Sequence, residues 1–167
     1  MHTCWSHPSA SALRFASADR PGVVTVAIRV VRLGTPRRAD EGLRLGTVRR
    51  PPRGVRKEDL GRRNYFDLWI PELAPSAPLV SWAFSKTLTP KRWATFVRRY
   101  RGEMRRPGAQ RLIALLAALS AQQDFSVGCY CEDESRCHRS VLRELLLNAG
   151  AVIAGPIPDS RLPTPDS

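Results

Sequence analysis

The run VVTVAIRVVRL, from Val23 to Leu33, constrains the fold more than any other stretch. It is β-branched and almost unbroken by polar residues. A half-exposed strand would alternate apolar and polar, so this one is expected to be a strand covered on both faces, as in a parallel sheet. Parallel partners need crossover segments, and the chain supplies both. Leu43 to Val48, Phe66 to Ile70, Phe125 to Cys131 and the short Val152-Ile153 read as further strands. Ser76 is placed to cap a short helix through Phe84. Thr89-Pro90 starts another, with an N-cap hydroxyl and proline at the first helical position. Trp93, Phe96, Val97, Tyr100 and Met104 then form one apolar stripe, read as core. Pro107-Gly108 breaks the chain. Leu112, Leu115, Leu116 and Leu119 then repeat helical spacing in a further helix ending near Gln123. A fourth runs from Cys137 to Asn148, with Val141, Leu142, Leu145 and Leu146 inward and Gly150 past its end. Strands alternating with helices predict an α/β sandwich with a mostly parallel sheet.

The 167 residues suit a single domain. Residues 1–22, rich in Ser, Ala, Pro and Gly, read as a flexible leader, on which His2, Cys4 and His7 are incidental as metal ligands. Residues 23–155 read as the domain, and 156–167, with four prolines, as an irregular tail. No run reaches the ~18 apolar residues of a membrane helix, so no membrane partner is expected. The N-terminus lacks the basic and apolar regions of a secretory signal. Three of the four cysteines crowd between Cys129 and Cys137, unlike a disulfide framework. These features predict a cytoplasmic protein with free or metal-bound thiols.

The net charge is +12, and only Lys57, Lys86 and Lys91 among the 27 basic residues are lysine. Two segments hold the excess: Arg32 to Arg63 and Lys91 to Arg111, each netting +7. Concentrated positive charge attracts polyanions, so nucleic acid is a candidate partner. A GC-rich coding sequence also yields surplus arginine, which leaves plain solvated charge as the competing explanation. There is no glycine-rich phosphate loop of standard spacing.

The segment GCYCEDESRCHRSVLREL, from Gly128, carries the chemistry. Strand periodicity puts Cys129 and Cys131 on one side of the sheet. Cys137, His138 and Arg139 follow the turn and open the next helix, at the carboxyl edge where such sheets bind ligands. Three chemistries fit. A metal site would use Cys129, Cys131, Cys137 and His138, with zinc or iron as the ion, although C-x-C-x5-C-H is not the usual knuckle spacing. A reactive thiolate would be Cys137 or Cys129, activated by the helix end and by Arg136 or Arg139. Glu132, Asp133 and Glu134 oppose that by repelling anions. The third reading is structural, with buried thiols and with His138 and Arg139 paired to the acidic loop.

These residues resemble the domain-of-unknown-function family 488. Its CHR run after a strand cysteine eight residues earlier matches Cys137-His138-Arg139 and Cys129. PRGVRKEDL (Pro52 to Leu60), DLWIPELAPS (Asp67 to Ser76) and PKRWATFVRRYRGEM (Pro90 to Met104) are similar to three further family segments in the same order. The resemblance covers about residues 24–155. It implies a bacterial, cytosolic, Rossmann-like domain, here a three-layer sandwich. The matching site positions are Arg49, Arg53, Lys57, Asp67, Trp69, Cys129, Cys137, His138 and Arg139. Where the family often has glutamate two residues after the strand cysteine, this chain has Cys131.

The expected function is therefore a pocket for a phosphate-bearing small molecule or nucleotide, with catalysis open. Arg53, Lys57 and Arg139 would hold the anion, and His138 or Cys137 would react. A basic nucleic-acid-binding module and a metal protein built on the cysteine cluster are the alternatives.

Overall fold

A computed structural model describes residues 27–155. The expected leader, the first residues of the Val23–Leu33 strand and the C-terminal tail lie outside the described residues. Strands β1 (Ile28–Arg32), β2 (Leu43–Gly46), β3 (Leu68–Trp69) and β4 (Phe125–Cys129) form one sheet in the order β1-β4-β2-β3. Every pairing is parallel. Ile153 adds only an isolated parallel bridge to Ile28. The central strand β4 is buried at all five positions, as a strand covered on both faces must be. The α/β class and the parallel sheet are as the sequence predicts.

Among the described residues there are four α-helices, α1 (Ala77–Phe84), α2 (Pro90–Glu103), α3 (Pro107–Leu119) and α4 (His138–Asn148). Local chemistry sets their starts. Ser76 Oγ accepts from the Leu79 N–H at 3.4 Å, and Thr89 Oγ1 from the Arg92 N–H at 3.3 Å. Pro107 opens α3 at its first position rather than merely breaking the chain, because its missing N–H would be unpaired there anyway.

All four helices share one core with the sheet face carrying Ile28, Leu45, Phe125 and Val127. The α2 stripe enters it as expected: Phe96, Tyr100 and Met104 are buried, and Trp93 and Val97 pack at its margin. The buried face of α3 does not coincide with its leucines. Ala109, Ile113, Leu116 and Ala117 are buried, while Leu115 and Leu119 are 54% and 38% exposed. Small alanines let α3 approach its neighbours closely, so the buried face does not follow the bulkiest side chains.

The opposite sheet face is covered by loops and a short 3-10 turn rather than by helices. Leu33, Val48, Leu60 and Phe66 build a second cluster there with Val31. Two glycines make room for it. Gly46 and Gly128 are register partners, and a Cβ on either would fall 2.5 Å from Phe66 or 2.4 Å from Leu33. On the same face Arg44, fully buried, donates to Glu41 at 2.6 and 2.7 Å, and the Ser126 hydroxyl donates to Glu41 at 2.6 Å.

Candidate functional site

Strand β4 ends at Cys129, and the chain runs on through Tyr130 to Cys131. The two sulfurs lie on one side, 3.7 Å apart, as the i, i+2 spacing predicts. Cys137 is the N-cap of α4 and brings a third sulfur. All three Sγ atoms lie within 4.8 Å of one another. The trio can therefore hold a metal ion. His138 is not one of this mutually close set.

His138 is buried and held by its surroundings. Its Nε2 lies 2.7 Å from the Thr47 carbonyl oxygen, which can only accept, so Nε2 carries the proton. The Tyr100 ring meets the imidazole edge-on, at 5.6 Å between centroids. Nδ1 is left as an acceptor, 3.7 Å from Cys137 Sγ. Cys137 Sγ thus lies close to both the imidazole and the neighbouring sulfurs.

Arg139 is 2% exposed and has no carboxylate partner among the described residues. It donates to the Cys131 carbonyl at 2.7 Å, and its Nε is buried without a partner. A buried guanidinium without a counter-ion is costly, so a nearby anion is favoured. Cys131 answers this need. Hydrogen bonds from Cys129 and then Cys137 hold its pKa well below the usual thiol range; burial opposes them and the Arg139 charge assists. Cys129 moves the other way, pushed up chiefly by the same bond to Cys131, then by Cys137 and by burial. The close Cys129 sulfur and the Arg139 charge thus favour a thiolate on Cys131.

The sulfurs and His138 lie against a cavity of about 470 Å³ at the carboxyl edge of the sheet. Its apolar wall includes Val80, Phe84, Leu88, Trp93 and Phe96 from α1, α2 and the loop between them. Arg49, Arg50 and Arg136 line it as well. Arg49 is anchored, donating to the Pro75 and Ala74 carbonyls at 2.9 and 2.8 Å. Arg136 donates to the Leu88 carbonyl. Arg50 is exposed and makes no side-chain hydrogen bond among the described residues.

Of the residues expected at the site, Arg49, Cys129, Cys131, Cys137 and His138 meet at this cavity, with Arg139 behind it. The others serve elsewhere. Arg53 is an exposed loop residue, and Lys57 lies in a 3-10 turn, Lys57–Asp59, exposed and away from the cavity lining. Asp67 is consumed by the Arg37 guanidinium at 2.7 and 2.9 Å and by the Arg44 N–H at 2.8 Å. Trp69 donates to the Val48 carbonyl at 2.7 Å and so ties β3 to the loop after β2. Thr47 and Tyr100, which position His138, were not legible as site residues. Only the shared sheet edge of Thr47 and Cys129 hints at the former.

The fold and this pocket define a single-domain α/β protein with a three-cysteine centre at the carboxyl edge of a parallel sheet. Over residues 28–150 the chain matches the family DUF488-N3a, described as the active DUF488-N3 subclade. The chain belongs to the DUF488 family. No curated protein and no solved structure matches it.

Proposed function

We propose that the cavity takes a nucleotide or a comparable phosphate-bearing small molecule, with the Cys131 thiolate at its reactive end. The observation that carries this reading is the composition of one cavity wall. Aromatic side chains, three sulfurs and Arg49, Arg50 and Arg136 all line the same 470 Å³ space. That volume is within the range of small-molecule sites, which are apolar with a few convergent polar groups. The Trp93, Phe96 and 75% exposed Phe84 rings suit a planar base. The guanidiniums suit a phosphate. Cys131 supplies the nucleophile, Cys129 and Cys137 stabilise its charge, and His138 Nδ1 can receive the Cys137 proton. A cytoplasmic setting keeps such thiols reduced. The name of the matching subclade, which calls it active, agrees with a chemical rather than a purely structural role.

Isothermal titration with a nucleoside monophosphate and with ribose 5-phosphate tests this. Binding that weakens by about 30- to 160-fold in Arg50→Ala/Arg136→Ala is expected, since two charge-assisted bonds contribute roughly 1–1.5 kcal/mol each. Millimolar ligand without heat or thermal shift overturns it.

A second reading has its own support. Three thiolates around a tetrahedral zinc ion sit about 3.8 Å apart, given Zn–S bonds of about 2.3 Å. The Cys129 and Cys131 sulfurs are 3.7 Å apart. Cys129, Cys131 and Cys137 would then hold zinc or iron, which would supply Lewis acidity facing the cavity. Elemental analysis of protein purified without a tag decides it. About one equivalent per chain, lost in Cys131→Ser, supports the metal; less than about a tenth of an equivalent removes it.

A further inference from the structure

The strongest feature that the pocket does not use is the solvent face of α2. Lys91, Arg98 and Arg105 recur every seven residues, the last just past the end of the helix, and all three are exposed. Seven residues return a helix to nearly the same face, so they form one ridge with about 10 Å between neighbouring charges. Between them lie the small Ala94, Thr95 and Gly102 together with Arg101, which is ion-paired to Glu144. None of the three cations has a carboxylate partner among the described residues. The single acid of α2, Glu103, is spent accepting from the Ser76 N–H and hydroxyl. Arg92 and Arg99 add charge beside the ridge while clamping Trp82, their guanidinium carbons 4.2 and 4.5 Å from its ring centroid.

Uncompensated like charge along one helix weakens the fold and does nothing for packing. We infer that this ridge binds the sugar-phosphate backbone of a nucleic acid. A membrane surface fits less well. A helix lying on lipid needs a free apolar face, and the apolar face of α2 is buried in the core through Phe96, Tyr100 and Met104. The inference does not depend on what fills the cavity.

Fluorescence anisotropy with labelled single-stranded and duplex oligonucleotides, across about 50 to 200 mM salt, tests it. Binding is expected to fall steeply with salt. Lys91→Gln/Arg98→Gln/Arg105→Gln should reduce the slope of log affinity against log salt by about 2 to 3, the release from three phosphates. Arg38→Gln/Arg56→Gln/Arg62→Gln removes the same charge from the loop layer on the other side of the sheet, and should leave the slope within about 1 of the parent. All these side chains are exposed, and unchanged thermal melting verifies that the variants fold. No binding at low salt overturns the ridge as an interface. So does equal weakening by the two triple variants, which would mean diffuse charge, or equal competition by anionic phospholipid vesicles. Mononucleotide titration of the ridge variant separates this failure from a failure of the pocket reading.

Discussion

One polar cluster is buried on the loop-covered face of the sheet and another at its carboxyl edge, and the two are built on opposite terms. On the loop-covered face Arg44 meets Glu41 through two bonds, Ser126 completes Glu41, and the Thr35 and Asn64 carbonyls accept from the Arg44 Nη1 group. That cluster is closed: charge is matched and no solvent-facing wall remains. At the carboxyl edge three sulfurs have mainly one another, Arg139 lacks a carboxylate among the described residues, and a cavity adjoins them. Buried polar groups that only hold a fold are satisfied in place, whereas groups that serve a ligand stay incomplete until it arrives.

The closed cluster should break hardest. Arg44→Ala leaves Glu41 buried without its cation, and should cost about 3–5 kcal/mol in urea unfolding. A cost below about 1 kcal/mol would mean that the pair is not as buried as described. Cys131→Ser removes the centre of the open cluster and should cost about 1 kcal/mol or less, since a small buried group is exchanged for one of similar size. Tyr100→Phe lies between the two. The Leu73 carbonyl loses its 2.6 Å hydrogen bond, and a loss of about 1–2 kcal/mol is expected.

Acid tests a neighbouring pair, Asp67 with Arg37. Burial pushes the Asp67 carboxyl up, but the Arg37 bonds, then the Arg44 N–H, outweigh it and bring the net value below the ordinary range. A depressed carboxylate stabilises fully above its ordinary pKa of about 4 and loses that contribution as pH falls through the lowered value. Melting temperature measured downward from pH 5 should therefore drop more steeply in the parent than in Asp67→Asn. Equal slopes would place the acid sensitivity elsewhere.

Much of this organisation is written locally. Ser76 and Thr89-Pro90 announce helix starts because a cap is a contact within three residues. The Cys129–Cys131 alignment follows from strand alternation, and Cys137-His138-Arg139 from its place after the strand. What local pattern cannot carry is pairing. Arg44 counts in the sequence as one more member of a basic stretch. Only its register opposite Ser126, and the turn that brings back Glu41, make it a core residue. Asp67 and Trp69 match family positions, yet their partners Arg37 and Val48 make them fasteners of the fold. The reverse holds for Arg50, whose place on the cavity depends on how α1 and α2 cross the sheet edge.

The central claim is that the Cys131 thiolate and the cavity are one site. The direct measurement is the rate of iodoacetamide modification at Cys131, followed by peptide mass spectrometry at pH 6, with and without saturating nucleoside monophosphate. An ordinary thiol is only about 0.3% ionised at that pH. The account predicts modification at pH 6 at close to the rate seen at pH 8, slowed at least about tenfold by the nucleotide. Modification that appears only above pH 8, or that proceeds equally fast beside saturating nucleotide, would contradict it.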